Sequence, residues 1–303
     1  MVTELSVLIP IYNYDVIKLV NSLLEQCRAL TSRFEILLYD DASEEKFRYR
    51  HRYLNEEPEI RYVEMRQNVG RAAIRNCLAQ DANFRYLLFL DNDSALPDDG
   101  FVERYWECPE EADVLIGGTI YESAPPSDMY MLRWHYGKER EERRASVRNK
   151  NPYQSLTLNN MLIRKEVYLK YQLSTDITGY GHEDTKFGWE MEKAEVRVKH
   201  INNPVIHLGL EPATDFLKKT RQAVKNLFQL YQAHHKIRDN KLINSYELLR
   251  RTGMVRVFIF LIRSMRNMML QNLRSAEPNL RYFDLYKLYL FASLAAGKQT
   301  DKN

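Results

Sequence analysis

Short runs of β-branched and large apolar residues, separated by amphipathic stretches and repeatedly closed by acids, constrain this chain more than any other feature. Leu5, Val7, Leu8 and Ile9 form the first run, stopped by Pro10, and predict a buried parallel strand. Val16, Leu19, Val20, Leu23 and Leu24 follow at helical spacing, so residues 15–27 read as a helix. Residues 34–39 predict a second strand, which ends in Asp40 and Asp41. Residues 60–65 predict a third strand, 72–80 a second helix, and 86–90 a fourth strand that ends at Asp91. This succession predicts an α/β fold: a doubly wound, mostly parallel sheet flanked by helices, with ligands at the carboxyl ends of its strands. Both acidic groups fall at such ends. Residues 114–119, 156–163, 196–201 and 205–208 predict further strands that close the sheet region.

Beyond this region the texture changes. The chain is 45% hydrophobic and 28% charged with a formal net charge of +3, which excludes disordered and collagen-like classes. That near-neutral value joins two unlike parts. Residues 215–303 hold 17 Lys+Arg against 6 Asp+Glu, which leaves 27 against 35 for residues 1–214. Apolar residues after 215 keep helical spacing, so 1–214 reads as one domain and 215–303 as a basic α-helical extension. Residues 138–150 are charged and poor in apolar side chains, which reads as a solvated loop or helix face, or alternatively as a lid over a nearby site. Cys27, Cys77 and Cys108 have neither metal-type nor disulfide-scaffold spacing, so a reducing, cytoplasmic compartment is expected. Residues 1–5 lack a signal-peptide pattern, and no apolar stretch approaches the ~20 residues a membrane span requires.

Several residue patterns carry chemistry. Asp91 and Asp93 flank Asn92 after the fourth strand, and in extended chain they would project to one side. Two carboxylates so placed suit Mg²⁺ or Mn²⁺ bound with a substrate's phosphates. An isolated Asp-x-Asp fits a turn and helix cap as well, since Pro97, Asp98, Asp99 and Gly100 follow. Asp40 and Asp41 can accept hydrogen bonds from a ribose or base, and Tyr12 can offer an aromatic face to a base. Gly70 permits close backbone approach before a helix, where Arg71 or Arg75 can neutralise a diphosphate. The glycine-rich fingerprints of dinucleotide and P-loop sites are absent from the sequence, so a nucleotide would be held through carboxylates and a metal. Asn159 and Asn160 are candidate contacts to a donor or acceptor sugar.

LSVLIPIYN (5–13), YDDAS (39–43), NVGRAAIRN (68–76), FLDND (89–93) and GYGHED (179–184) occur in the order found in family-2 glycosyltransferases. Over residues 3–210 the chain resembles that family, which implies the Rossmann-like GT-A fold. By position, the resemblance implies that Pro10, Tyr12 and Asp41 line the nucleoside pocket. It implies that Asp91 touches the ribose or metal, that Asp93 binds the metal at the diphosphate, and that His207 supplies a further metal ligand. Asp184 would be the catalytic base and Glu183 would hold acceptor hydroxyls. GYGHED is also similar to the Gly-Trp-Gly-Gly-Glu-Asp element of galactosyl- and N-acetylgalactosaminyltransferases, departing from it at Tyr180 and His182.

These roles imply a Mn²⁺- or Mg²⁺-dependent, inverting transfer of a hexose or N-acetylhexosamine from a nucleoside-diphosphate sugar, a UDP-sugar first. The acceptor would be a glycan or lipid-linked saccharide, as in polysaccharide biosynthesis. A sugar-phosphate nucleotidyltransferase is the enzyme alternative, but residues 9–13 are not the Gly-rich basic loop it needs. A non-catalytic nucleotide-sugar or glycan-binding module is the other alternative. In the basic extension, residues 254–273 combine a wide apolar face with Arg256, Arg263 and Arg266, and Arg274 follows. Such a helix suits an anionic membrane surface on the inner face, a second subunit in a homodimer, or packing on the catalytic part. No motif for nucleic acid is present.

Overall fold

The computed structural model describes residues 3–30, 33–107, 112–176, 181–233 and 240–297. Cys108 and the Gly179-Tyr180 part of the GYGHED stretch lie outside the described residues. The strands are β1 (Leu5–Ile11), β2 (Phe34–Asp40), β3 (Ile60–Glu64), β4 (Tyr86–Phe89), β5 (Ser94–Ala95), β6 (Val114–Ile116), β7 (Thr119–Ile120), β8 (Met161–Arg164), β9 (Val198–His200) and β10 (Val205–His207). The helices are α1 (Ile17–Leu30), α2 (Glu45–His51), α3 (Arg71–Asp81), α4 (Phe101–Trp106), α5 (Met131–Tyr136), α6 (Ala145–Arg148), α7 (Lys165–Lys170), α8 (Glu183–Lys193), α9 (Ala213–Ala233), α10 (Lys241–Arg251), α11 (Val255–Leu273) and α12 (Leu280–Ala295).

Two compact units share the chain. One comprises Met1–Glu122, Glu141–Asp176 and Glu183–Gly209, and the other Ser123–Arg140, Ile177–His182 and Leu210–Asn303. Residues 123–140 therefore belong with the C-terminal helices, whereas a division at residue 214 leaves them with the N-terminal part.

In the first unit a seven-stranded sheet has the order β3-β2-β1-β4-β8-β6-β9. β1 pairs in parallel with β2 and β4, and β2 with β3, so these four strands present their carboxyl ends along one edge. β8 runs antiparallel to β4 and β6, and its start meets the end of β4 at Met161 and Phe89. The expected α/β class, with a mostly parallel sheet between helices, is the fold observed. Period-two alternation sorts β1 between two layers: Val7, Ile9 and Ile11 pack with Leu19, Val20 and Leu23 of α1. Leu8 faces the opposite layer with Leu37, Phe89, and Ile74 and Leu78 of α3. Burial on both faces is why these strands read as continuous apolar runs.

Some expected boundaries shift for local reasons. The run 114–119 is split into β6 and β7 at Gly117, where a Cβ would lie 2.3 Å from both Asn160 and the Asn203 carbonyl. Gly118 then turns the chain at φ +97°. Instead of ending the main sheet, β7 and β10 join β5 in a three-stranded sheet of order β5-β10-β7. Residues 156–160 are not strand, and β8 begins only at Met161.

The charged stretch 138–150 is not a solvated loop throughout. It contains the end of a π-helical turn, Gly137–Glu141, and all of α6. Arg148 is buried and donates to the carbonyls of Ile116, Gly117, Ile201 and Arg143 at 2.7–3.0 Å. Glu141 and Glu142 accept from the hydroxyl and the backbone N–H of Tyr121. These bonds tie residues 141–148 to the first unit, and the lid alternative finds no support in them.

The second unit is helical. Leu132 of α5 packs with Phe216, Leu217 and Leu227 of α9, Ile243 of α10, Ile259 and Ile262 of α11, and Phe283 and Phe291 of α12. Phe216 and Phe283 stack with ring centroids 5.3 Å apart. No described helix is long and apolar enough to cross a membrane.

Candidate active site at the carboxyl edge of the sheet

Asp41, one residue past β2, is buried and its backbone N–H bonds the Ile11 carbonyl at 2.8 Å. Its carboxylate accepts the N–H groups of Val69 (2.6 Å) and Gly70 (3.0 Å), the turn that leads into α3. Gly70 occupies φ +89°, which a side-chain-bearing residue rarely adopts. Asp40 is wholly internal, bonded to the Ser43 N–H and the Tyr62 hydroxyl. Pro10 is half-buried near the end of β1, and Tyr12 beyond it is 53% exposed, with its ring available to a flat ligand.

The Asp91-Asn92-Asp93 segment is a turn rather than the expected extended chain. The Ser94 N–H closes it on the Asp91 carbonyl at 3.2 Å, and the Asn159 side chain accepts the Asp91 N–H at 2.9 Å. The two aspartates consequently face different partners. Both oxygens of Asp91 face arginines: buried Arg75 bonds Oδ1, and Arg71 Nη2 lies 3.9 Å from Oδ2. Asp93 instead faces β10, where pairing of His207 with Ser94 brings His207 Nδ1 to 3.5 Å from Asp93 Oδ1. The His207 ring rests edge-on against Tyr121, with centroids 5.4 Å apart. Tyr14 also feels the Asp93 charge, which adds to burial in raising the pKa of its phenol.

A carboxylate beside an imidazole suits Mn²⁺ or Mg²⁺, with Mn²⁺ the better match for the nitrogen. The backbone leaves room for the Asp93 carboxylate. A Cβ on Gly209, two residues past His207, would lie 2.0 Å from Asp93 Oδ2. Glycine there is what allows the Asp93 carboxylate its position. Among the described residues no three His, Cys, Asp or Glu side chains converge as a complete metal cage. The phosphates of a nucleotide and water would complete the shell, the usual arrangement for Mg²⁺-type sites.

Arg71, the first residue of α3, joins the second acidic motif to the first. Its Nε lies 3.8 Å from Oε1 of Glu183, a buried oxygen that accepts no hydrogen bond among the described residues. Asp184 follows in the first turn of α8, and its Oδ1 accepts the Thr185 N–H at 2.8 Å. Desolvation raises the Asp184 pKa above the ordinary carboxylate value. The Thr185 N–H and the Arg71 charge oppose that shift, and Glu141 adds to it.

Asn160, expected at a sugar, is instead engaged within the protein. It is 0% exposed at φ +59°. Its amide donates to the carbonyls of Gly118 (2.8 Å) and Asn203 (2.7 Å), and Oδ1 accepts from Tyr105. The side chain spans β6, β8 and the 203 loop, with no donor left for a ligand. Asn159 takes the site-facing role by fixing the Asp91 turn. His200 is likewise structural: Nε2 donates to the Pro152 carbonyl at 2.9 Å, while Nδ1 accepts from Arg148 at 2.7 Å. Gly209 and Tyr121 were the contributors least visible in the sequence, whereas Arg75, expected at a diphosphate, instead bonds Asp91. A lone glycine after the His207 strand was the one available signal for the first.

The sequence profile of Glycosyl transferase family 2 matches residues 6–171. An uncharacterised glycosyltransferase of Rickettsia felis is 31% identical over 137 residues, which cover 45% of this chain and 22% of the relative. The chain thus matches less than a quarter of that relative's length. Among solved structures, the mannosyltransferase PcManGT from Pyrobaculum calidifontis, in complex with GDP-Man and Mn²⁺, aligns over 99% of this chain and 88% of its own at 14% identity, TM-score 0.59. S. aureus TarS 1–349 aligns over 98% and 93% at 16% identity, TM-score 0.50. These likenesses establish the GT-A fold with its C-terminal helices. With the profile spanning more than half its length, this chain belongs to glycosyl transferase family 2.

Proposed function

We propose that the chain is a divalent-metal-dependent, inverting glycosyltransferase. It moves a hexose or N-acetylhexosamine from a nucleoside-diphosphate sugar to a hydroxyl of a glycan or lipid-linked saccharide. One observation carries this reading: Arg71 lies 3.9 Å from Asp91 and 3.8 Å from Glu183, so two acidic motifs far apart in sequence form one site. The similarly folded mannosyltransferase holds GDP-Man and Mn²⁺, which supports a nucleotide sugar and a divalent cation as ligands here.

In the proposed reaction Tyr12 and the Asp41 turn receive the nucleoside. Asp93 and His207 would hold Mn²⁺ or Mg²⁺, which when bound supplies positive charge at the diphosphate. Arg71 adds a fixed cation there, so the leaving phosphate oxygen takes the electron pair of the breaking C–O bond without a proton donor. Asp184 removes the proton from the acceptor hydroxyl, whose oxygen bonds the anomeric carbon from the opposite face and inverts it. Glu183 orients that acceptor. The raised pKa of Asp184 suits a base of this kind, because a more basic carboxylate takes a proton more readily.

The test is a screen of UDP-sugars and GDP-sugars with Mn²⁺ or Mg²⁺, scoring thermal shift, slow donor hydrolysis and transfer to saccharide acceptors. Metal-dependent stabilisation and hydrolysis by one donor is the expected result. Indifference to every donor in the presence of either metal overturns the proposal.

A further inference from the structure

We propose that the outward face of α11 is a docking surface for an anionic lipid bilayer. The helix has two apolar faces. Ile259, Ile262, Met269, Leu270 and Leu273 are buried in the core of the helical unit. On the other side Val257, Phe260, Leu261, Met265 and Met268 are exposed, Phe260 at 74%, and exposed Met254 precedes them. The outward side of a surface helix is ordinarily polar, so a contiguous apolar stripe there marks a partner.

Charge identifies the class of partner. α11 contains three arginines, Arg256, Arg263 and Arg266, and no acid. At ~100° per residue, exposed Arg256, Arg263 and Arg274 fall within about 20° of one another, along one margin of the stripe. The acids of the flanking helices are already occupied: Glu247 pairs with Arg250, and Asp284 with Arg140 and Lys287. The matching surface is therefore apolar within and negative at its boundary, as acyl chains are beneath anionic head groups. A second copy would set the same acid-free arginine row against itself, which disfavours a dimer through this face. The proposal does not rest on the transferase reading, and its test does not measure activity.

The full chain is sedimented with phosphatidylcholine vesicles that either contain or lack phosphatidylglycerol. It is expected to pellet with the anionic vesicles, less as salt rises, and to stay in solution with neutral ones. Phe260→Ser combined with Leu261→Ser should lower the partition coefficient at least about tenfold. Arg256→Gln combined with Arg263→Gln should lower it about 25-fold, at ~fivefold per arginine. All four side chains are exposed, and the arginine pair leaves apolar packing untouched, so one variant serves if the other loses its thermal transition. The proposal is overturned by no pelleting with anionic vesicles, by equal pelleting with neutral ones, or by pelleting that neither variant reduces. A wild-type dimer that both variants convert to monomer, without vesicle binding, assigns the face to a second copy instead and overturns it too.

Discussion

His207 Nδ1 lies 3.5 Å from Asp93 Oδ1, although 113 residues of chain separate them. The short β5–β10 ladder creates this proximity by pairing Ser94 with His207. Groups that merely orient a metal ligand are worth about 10- to 100-fold in affinity, and a direct donor should be worth at least as much. His207→Ala is therefore expected to weaken Mn²⁺-dependent nucleotide binding at least about tenfold. Titration calorimetry with UDP or GDP, with and without Mn²⁺, checks this. Equal weakening in the absence of metal would place His207 outside the cation site.

Gly209→Ala tests the same site through the backbone. The new methyl would sit 2.0 Å from Asp93 Oδ2, so the carboxylate must swing away. Metal-dependent nucleotide binding should fall about as far as in Asp93→Asn, while metal-independent binding is retained. The comparison uses one calorimetric series on the three proteins. Full Mn²⁺ affinity in the alanine variant would show that Asp93 is not needed where it stands.

How much of this was legible in the sequence depended on how local each cause was. Leu87, Leu88 and Phe89 are buried on both sides of the sheet, so a continuous apolar run announced β4 without reference to anything distant. The acids after the strand ends were visible for the same reason. The setting of Asn160 was not legible, because sequence places it beside a strand but cannot show that Tyr105, Gly118 and Asn203 consume its hydrogen bonds. Arg148 was hidden in a charged run, where only the neighbouring carbonyls of Ile116, Gly117 and Ile201 distinguish a buried guanidinium from a solvated one. Gly209 shows in the sequence only as a lone glycine after the His207 strand, since its constraint is a carboxylate from another sheet strand's turn.

Asn160→Ala separates that structural role from a binding role. The substitution leaves the Gly118 and Asn203 carbonyls and the Tyr105 hydroxyl short of a buried partner, and an orphaned buried polar group costs about 1–3 kcal/mol. Reduced stability in urea is expected, with donor KM unchanged while the protein remains folded. A large KM effect without loss of stability would restore the sugar-contact assignment.

Asp184 predicts a pH dependence for transfer. A general base works deprotonated, so the rate should fall as pH drops through its pKa, which burial holds above the ordinary Asp value of ~3.9. The acid limb of kcat/KM is expected above that value. Asp184→Asn should abolish the limb and lower kcat about 10²- to 10⁴-fold with donor binding intact. The sign for stability is opposite: a desolvated carboxylate is costly when charged, so the asparagine variant should gain stability above the raised pKa and lose that gain below it. Unchanged transfer in the variant would remove Asp184 from the mechanism.

His200 governs stability on the acid side. Desolvation and the Arg148 charge lower its pKa from 6.5 to about 4, against the opposing bond to Pro152. The folded state then binds fewer protons than the unfolded state between these values. The stability His200 contributes is complete above 6.5 and is lost as pH falls towards 4, by at most about 3 kcal/mol. The geometry explains the sign: a second proton on the ring would turn an acceptor for Arg148 into a cation 2.7 Å from it. Thermal midpoints measured from pH 7 to pH 4 should therefore decline steeply in the wild type. His200→Gln cannot take up this proton, so its decline should be shallower even where its midpoint at pH 7 is lower. Parallel pH profiles for the two proteins would place the acid-sensitive group elsewhere.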